Sequence, residues 1–142
     1  MDLPPPATLS ERVRTFLEQP LYPTLATVGA DGTPHQAVIW YRLDPDGRIL
    51  VNSRSPRRWP DELRRVGRAS LAVTDLHDPM RWVGLQVVVE DVIHDVAVAR
   101  EDIVALAVRY DEDDDESVAS FRTQDRISFR LRITAVHDHL EE

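Results

Sequence analysis

An α+β fold is predicted for this sequence: an antiparallel six-stranded barrel or sheet flanked by two or three helices. Three observations carry that prediction. From Leu21 onward most apolar residues recur with a period of two, the segments so formed are joined mainly by short Gly- and Pro-containing turns, and two or three stretches switch to helical spacing. Strands interrupted this irregularly do not fit the regular strand-helix alternation of a doubly wound parallel sheet.

The elements follow in order. After the lead Met1-Asp2-Leu3-Pro4-Pro5-Pro6, the run Thr8-Leu9-Ser10-Glu11 fits a capping box that opens a helix, with Leu9, Val13, Phe16 and Leu17 on one face and Pro20 as its stop. Leu25 and Thr27 then share a strand face, the turn Gly29-Ala30-Asp31-Gly32 follows, and His35, Ala37, Ile39, Tyr41 and Leu43 alternate along the returning strand. A second turn, Asp44-Pro45-Asp46-Gly47, leads into a third strand through Ile49-Leu50-Val51. The next helix has two candidate starts. Ser55 as N-cap with Pro56 in the first helical position obeys the capping preferences but leaves Pro60 inside the helix, whereas a start at Pro60 avoids that; Ser55 with a distorted first turn is preferred. Leu71 and Val73 belong to a fourth strand, and Trp82 to Val92 to a long fifth with Val83, Leu85, Val87 and Val89 on one face. Ile103, Leu106, Ala107 and Tyr110 fit a helix, Asp111 to Glu116 a solvated acidic loop, and Ile127, Phe129, Leu131, Ile133 and Ala135 a strictly alternating last strand.

Composition narrows the function classes. A chain of 142 residues is read as one domain over 1–142, long enough to bury a core without covalent staples. Its 17 Lys and Arg against 25 Asp and Glu give a formal charge of -8, which argues against broad binding to nucleic acid or an anionic membrane, so any anion is held locally. Cysteine is absent, which removes disulfides, thiol catalysis and thiolate-ligated metals. The N-terminus lacks the charged and apolar regions of a signal peptide, and no apolar run approaches the ~20 residues of a membrane span; a cytoplasmic protein is expected.

The candidate chemistry centres on Arg54, Arg57 and Arg58. Guanidinium forks match phosphate oxygens, a helix opening beside them adds N–H groups and the positive end of its dipole, and Asn52 and Ser53 add neutral hydrogen bonds. The competing reading is a solvated basic helix end in an acidic protein. Trp40, Tyr41 and Trp82 are candidates to wall a planar ring, against plain core packing. His35, His77 and His94 are scattered, and only His137-Asp138-His139 is dense, close to the chain end, so no metal is expected. Asp111, Asp113 and Asp115 have calcium-loop spacing, but Glu116 stands at the glycine position and Arg122 at the closing glutamate. No Gly-x-Ser-x-Gly elbow or glycine-rich phosphate loop occurs.

Leu25-Ala26-Thr27-Val28-Gly29-Ala30-Asp31-Gly32-Thr33-Pro34-His35, Val38 to Asp44 and Ile49 to Val73, taken in order, resemble the pyridoxamine 5'-phosphate oxidase-like split barrels. The strongest piece is Pro56-Arg57-Arg58 leading through Glu62-Leu63-Arg64-Arg65 into Arg68-Ala69-Ser70-Leu71, and the likeness spans Pro20 to Val92 and the strand from Arg126. The resemblance implies a split β-barrel, a homodimer with cofactor sites at its interface, and phosphate held at Arg57 and Arg58 with Asn52, Ser53 and Arg54 at the preceding strand end. It further implies that Ile39 and Trp40 lie beside the cofactor ring and that Trp82 reaches in from the neighbouring subunit. Trp59 departs from the family pattern, which often has a lysine there. The arginine-rich, lysine-free sequence is similar to the branch that uses the deazaflavin coenzyme F420, with FMN as the alternative. The activity so implied is hydride transfer from reduced F420 to a small unsaturated organic acceptor; the alternative is an FMN enzyme or a non-catalytic flavin- or tetrapyrrole-binding module. No catalytic residue is assigned. Tyr41 and His35 are proton donors only if they face the pocket.

Overall fold

The computed structural model describes residues 2–141, in the order α1 (Glu11–Leu17), β1 (Thr24–Val28), β2 (Pro34–Val38), β3 (Arg42–Leu43), β4 (Ile49–Arg54), α2 (Arg58–Val66), β5 (Arg68–Thr74), β6 (Trp82–Ile93), α3 (Val96–Arg109), α4 (Asp115–Phe121) and β7 (Arg126–His139). The fold is α+β with a curled antiparallel sheet, but these residues form seven strands and four helices rather than six strands and two or three helices. The sheet order is β2-β1-β5-β6-β7-β4-β3. Its two edge strands, β2 and β3, are separated in sequence only by Ile39, Trp40 and Tyr41. Four Cα steps of about 3.8 Å cannot span more than ~15 Å, so the opposite edges are drawn together and the sheet curls into a half-barrel.

This crossing explains the extra strand. The continuous strand expected from His35 to Leu43 breaks where the chain leaves one edge for the other, with Ile39 N–H donating to the Pro23 carbonyl at 3.1 Å. The strand through Ile49-Leu50-Val51 accordingly pairs with β3 and β7 and not with β2.

Capping chemistry sets the helix ends. α1 starts two residues later than expected, because Ser10 rather than Thr8 is its N-cap, its Oγ accepting from Val13 N–H at 3.1 Å. α2 begins at Arg58 with Arg57 as N-cap, instead of at Ser55. Pro60 is then the third helical residue, where the missing N–H would have had no intrahelical partner, so no distortion is needed. Gly67 ends α2 in the left-handed region at φ +78°, which favours glycine. The acidic run does not remain a loop: Asp114 caps Ser117 N–H at 3.1 Å and Asp115 and Glu116 enter the first turn of α4. β7 continues to His139, so His137 and His139, although close to the chain end, lie on a paired strand opposite Gly84 and Trp82.

The main core fills the barrel with alternate residues of β1, β4, β5, β6 and β7, among them Leu25, Val51, Val73, Val83, Leu85 and Phe129, together with Phe16 and Leu17 of α1 and Leu63 of α2. Burying each such side chain contributes about 1.5–3 kcal/mol. The opposite face of β4 presents Leu50 to Ile103 and Leu106 of α3, so α3 lies against the outside of the sheet. Tyr41 anchors the crossing segment, its O–H donating to the Leu17 and Gln19 carbonyls at 2.6 and 3.0 Å, and Arg109 of α3 binds the Tyr41 carbonyl at 2.8 Å.

The β6–β7 register shifts between Val89 and Asp91, leaving Glu90 as the bulged residue. Its carboxylate accepts from Arg132 Nε at 2.6 Å and from Arg48 Nη1 at 2.8 Å. Burial pushes this carboxyl up, but the two guanidiniums outweigh it and the net shift is downward from 4.5. A carboxylate held below its unfolded value stabilises the fold above that value, and the contribution is lost as pH falls through the folded one. Glu90→Gln is therefore expected to lower the thermal midpoint at pH 7 but to lie progressively closer to wild type below pH 4.5; an undiminished gap at pH 3 contradicts the assignment.

Candidate functional site

The crossing segment, the end of β4, the start of α2 and the α3–α4 region surround a cavity of about 380 Å³. One side is aromatic and apolar: Tyr22, Ile39, Trp40, Trp59, Ile103 and Phe121. Trp40 is held flat against Tyr110 at 5.2 Å between ring centroids and 10° between planes, and Tyr110 also packs against Tyr22 at 5.2 Å. Trp59 packs its ring against Phe129 at 6.1 Å, so the residue at the position where a lysine was expected is a partly core-embedded wall of the cavity. The other side is polar and basic: Asn52, Arg54, Arg57, Gln124 and Arg126.

Strand pairing builds the basic side. Arg54 ends β4 and Arg126 begins β7, and the two are directly opposite in the β4–β7 ladder, with Asn52 facing Ser128 two residues along. Arg57 is brought in by the turn before α2, where its N–H donates to the Arg54 carbonyl at 3.1 Å. None of the three guanidiniums forms an ion pair among the described residues. Arg126 is only 5% exposed, and its charge is met by neutral acceptors: Nε donates to Asn52 Oδ1 at 2.9 Å and Nη1 to Gln124 Oε1 at 2.7 Å. Asn52 is fixed in turn by donating to the Ala99 carbonyl at 2.8 Å and to Ser128 Oγ at 2.7 Å, and Ser128 donates to Asp102 at 2.8 Å.

The electrostatic consequence is a standing positive field. Burial first, then Arg57 and Arg54, push Arg126 down to about 10, and burial with Arg54 also lowers Arg57. Above about pH 10 the unfolded chain still holds the proton that folded Arg126 releases, so this group favours folding more as pH rises through its folded value. At neutral pH the protonated cluster is a cost to folding, because Arg126 is buried beside two like charges. An anion in the cavity removes that cost.

Of the residues singled out from sequence, Ile39, Trp40, Asn52, Arg54 and Arg57 line this one cavity. Ser53 points to the other face of β4, where its Oγ is buried without a hydrogen-bond partner. Arg58 does not line this cavity: its side chain is 65% exposed and its Nε lies 3.8 Å from Glu62. Trp82 lies in a separate cavity of about 360 Å³ on the open face of β1, β5, β6 and β7, tilted against His137 at 5.0 Å and stacked on His139 at 5.7 Å. Tyr41 and His35 are not among the lining residues; the Tyr41 O–H is spent on Leu17 and Gln19 and its pKa is raised by burial, while His35 is bound to Glu62. No described residues form a group of three or more His, Asp or Glu able to hold a metal ion, and no helix is long and apolar enough to cross a membrane.

Arg126, Tyr22, Phe121 and Gln124 are site residues that sequence reasoning did not select. Arg126 left only a weak signal, a charged residue at the head of a strictly alternating strand; its pairing with Arg54 spans 72 positions and has no local signature.

A family profile described as pyridoxamine 5'-phosphate oxidase matches residues 9–139. The chain belongs to that family. Among solved structures, an F420 reductase is 28% identical, with a TM-score of 0.79 over 91% of this chain and 98% of the other. A conserved hypothetical protein from Mycobacterium tuberculosis is 23% identical, with a TM-score of 0.73 over 94% and 87%. The heme storage protein HutZ from Vibrio cholerae is 18% identical, with a TM-score of 0.69 over 93% and 95%, a likeness of fold alone. No curated protein sequence matches the chain. In this chain the described cavity combines aromatic side chains with arginines that form no ion pair among the described residues.

Proposed function

We propose that this protein is an F420-dependent oxidoreductase that transfers hydride from the reduced deazaflavin to a small unsaturated organic acceptor. The observation that carries the reading is the joining, in one cavity, of the Trp40 and Tyr22 rings to Arg54 and Arg57, two guanidiniums with no ion-pair partner among the described residues. Likeness to an F420 reductase over nearly the full length of both chains favours F420 over FMN. The residues fit the group: Ile39 and Trp40 offer an apolar platform for the ring, Arg54, Arg57 and Arg126 offer donors for phosphate, and Asn52 holds Arg126 in place. The cofactor supplies the hydride chemistry; the chain supplies position, water exclusion and charge. The lining contains no carboxylate or imidazole, so no protein acid is assigned, and Tyr22 is its one phenol.

A homodimer is part of the proposal, with the cavity around Trp82, which is lined by the small residues Ala26, Ala72, Gly84 and Ala135, offered as the face that a second copy covers. A second reading, a binding module without turnover, is favoured by the absence of a proton-donating acid or imidazole from the cavity lining.

Fluorescence titration of the purified protein with F420 and FMN side by side tests the assignment. Tighter binding of F420, followed by acceptor-dependent oxidation of its reduced form, is the expected result. Binding of neither overturns both cofactor assignments, and binding without reduction of any acceptor selects the module.

A further inference from the structure

The lining of the ring cavity holds no imidazole or carboxylate, so the proton that completes a reduction has no side-chain source there other than the Tyr22 phenol. We propose that His137 of a second copy of the chain supplies it. The inference rests on the oxidoreductase and homodimer readings above; it adds how the two copies face each other and which residue they bring to the ring.

Strand register draws a straight row across the open face of the sheet. Val38 pairs with Thr24, Thr24 with Ala72, Ala72 with Gly84 and Gly84 with His137. Directly opposed residues of an antiparallel ladder point to the same side, so the whole row shares one face. Four strand steps of about 4.8 Å separate Val38 from His137 by roughly 19 Å. Val38, at one end, is 69% exposed and also lines the ring cavity. His137, at the other, belongs to a raised ring cluster with Trp82 and His139. Trp82 lies across Gly84, where a Cβ would stand 3.0 Å from its Cζ3 and 3.4 Å from His137 Cβ, so the cluster is packed in place. Between the two ends the face is a hollow of small side chains. Its lining contains no Asp, Glu, Lys or Arg, in a chain of which 30% is charged. Depletion of charge marks the centre of an interface, and for a chain with a formal charge of -8 a neutral face is where two copies meet without repulsion.

Two twofold arrangements keep the rows of both copies aligned. An axis along the row sets His137 on His137 and Trp82 on Trp82, and these rings prop the hollows apart. An axis along the strands through Ala72 sets hollow on hollow and lays each ring cluster over the other copy's Val38, at the mouth of its ring cavity. Close packing selects the second. The partner's His137 then stands where none of the chain's own histidines reaches. His139 is less suited to the task, because its Nδ1 donates to the Met80 carbonyl at 3.0 Å, whereas His137 makes no side-chain hydrogen bond among the described residues. One carbon of the acceptor's double bond gains the hydride, with its two electrons, as the deazaflavin is oxidised. The neighbouring carbon takes a proton from the imidazolium of His137 of the partner subunit, and water recharges the ring.

The chain has no cysteine, so cross-linking reads the arrangement without any cofactor. The double variant Val38→Cys with His137→Cys alters two exposed positions. Treated with a bismaleimide that spans about 10 Å, the spacing of stacked sheets, it is expected to run as a covalent dimer on a denaturing gel, since the same two positions within one chain are out of the reagent's reach. Each single variant is expected to run as a monomer. Cross-linking of a single variant, which reports like-on-like packing, overturns the proposal; so does a chain that sediments as a monomer, or a dimer whose double variant fails to cross-link. Turnover reads the proton. His137→Gln is expected to slow acceptor-dependent oxidation of reduced F420 about a hundredfold with F420 affinity unchanged. Co-expression of that variant with the double variant Arg54→Ala and Arg57→Ala is expected to restore activity, through dimers in which one intact cavity meets the other chain's His137. An unaltered rate in His137→Gln, or no recovery on co-expression, overturns the assignment. A 38–137 cross-link in a protein that binds neither F420 nor FMN retires the oxidoreductase reading and the proton step with it, and leaves the arrangement of the two copies standing.

Discussion

Replacing Arg54 and Arg57 together by alanine is expected to weaken F420 binding by roughly a hundredfold or more while leaving thermal stability unchanged or slightly raised. The two effects share one cause. Hydrogen bonds to a charged partner contribute about 1.5–3 kcal/mol each, so loss of two removes about 3–6 kcal/mol from binding. In the folded protein alone the same guanidiniums form no ion pair among the described residues, and Arg54 and Arg57 both add to the burial that lowers the proton affinity of Arg126. Removing them relieves repulsion and breaks no salt bridge. Arg132→Ala is the matched control, because Arg132 is paired with Glu90 at 2.6 Å away from the cavity; it is expected to lower the thermal midpoint and spare cofactor affinity. Affinity that survives the double substitution removes the arginine wall from the cofactor site.

Periodicity and turn chemistry are local, and what they govern was legible in the sequence. The β1–β2 hairpin, the alternating core faces of β6 and β7 and the break at Pro20 follow from residues within a few positions of one another. The arginine corner was legible too, as charge between a strand and a helix. Its meaning was not, since that depends on pairing β4 with β7, two segments separated by α2, β5, β6, α3 and α4. The same long pairing brings Arg126 opposite Arg54 and supplies the third guanidinium. Capping alternatives were also beyond local reach: Thr8 and Ser10 both precede plausible first turns, and the docking of Phe16 and Leu17 into the barrel fixes which one caps. Trp59 illustrates a different limit. Read as a charge lost from a phosphate site, it is instead a core ring against Phe129 that also walls the cavity, two roles that one substitution letter cannot separate.

α2 divides its faces between these tasks, which ties the site to the stability of the barrel end. Arg57, Pro60, Asp61 and Arg64 line a smaller cavity of about 210 Å³, Trp59 and Leu63 enter the core, and Glu62 turns toward the β1–β2 hairpin. A helix held loosely would not keep the arginine wall in register with β4 and β7. Rigid second contacts are what make a charge cluster selective rather than merely attractive.

Glu62→Ala is accordingly expected to cost about 3 kcal/mol, since it removes from a buried site the carboxylate that joins Thr27 and His35. Its carboxylate, 7% exposed, accepts from Thr27 Oγ1 at 2.8 Å and contacts His35 Nδ1 at 2.9 Å. Gly29 lets the three groups meet: a Cβ there would stand 2.9 Å from His35 Cε1 and 3.3 Å from Glu62 Oε2. Alanine at position 62 leaves the Thr27 hydroxyl buried without its acceptor and His35 without its anchor. For a chain of this size the thermal midpoint should fall by roughly 10 °C. Glu62→Gln separates packing from charge, because it keeps the volume and its amide oxygen still accepts from Thr27; it is expected to recover about half of the loss. Since α2 carries Arg57 at its N-cap, Glu62→Ala should also weaken cofactor binding measured well below the midpoint, and Glu62→Gln should restore it. A full loss of stability with unchanged affinity would show that the helix end bearing the arginines is held by Trp59 and Leu63 alone, and that the hairpin contact steadies the fold without steadying the site.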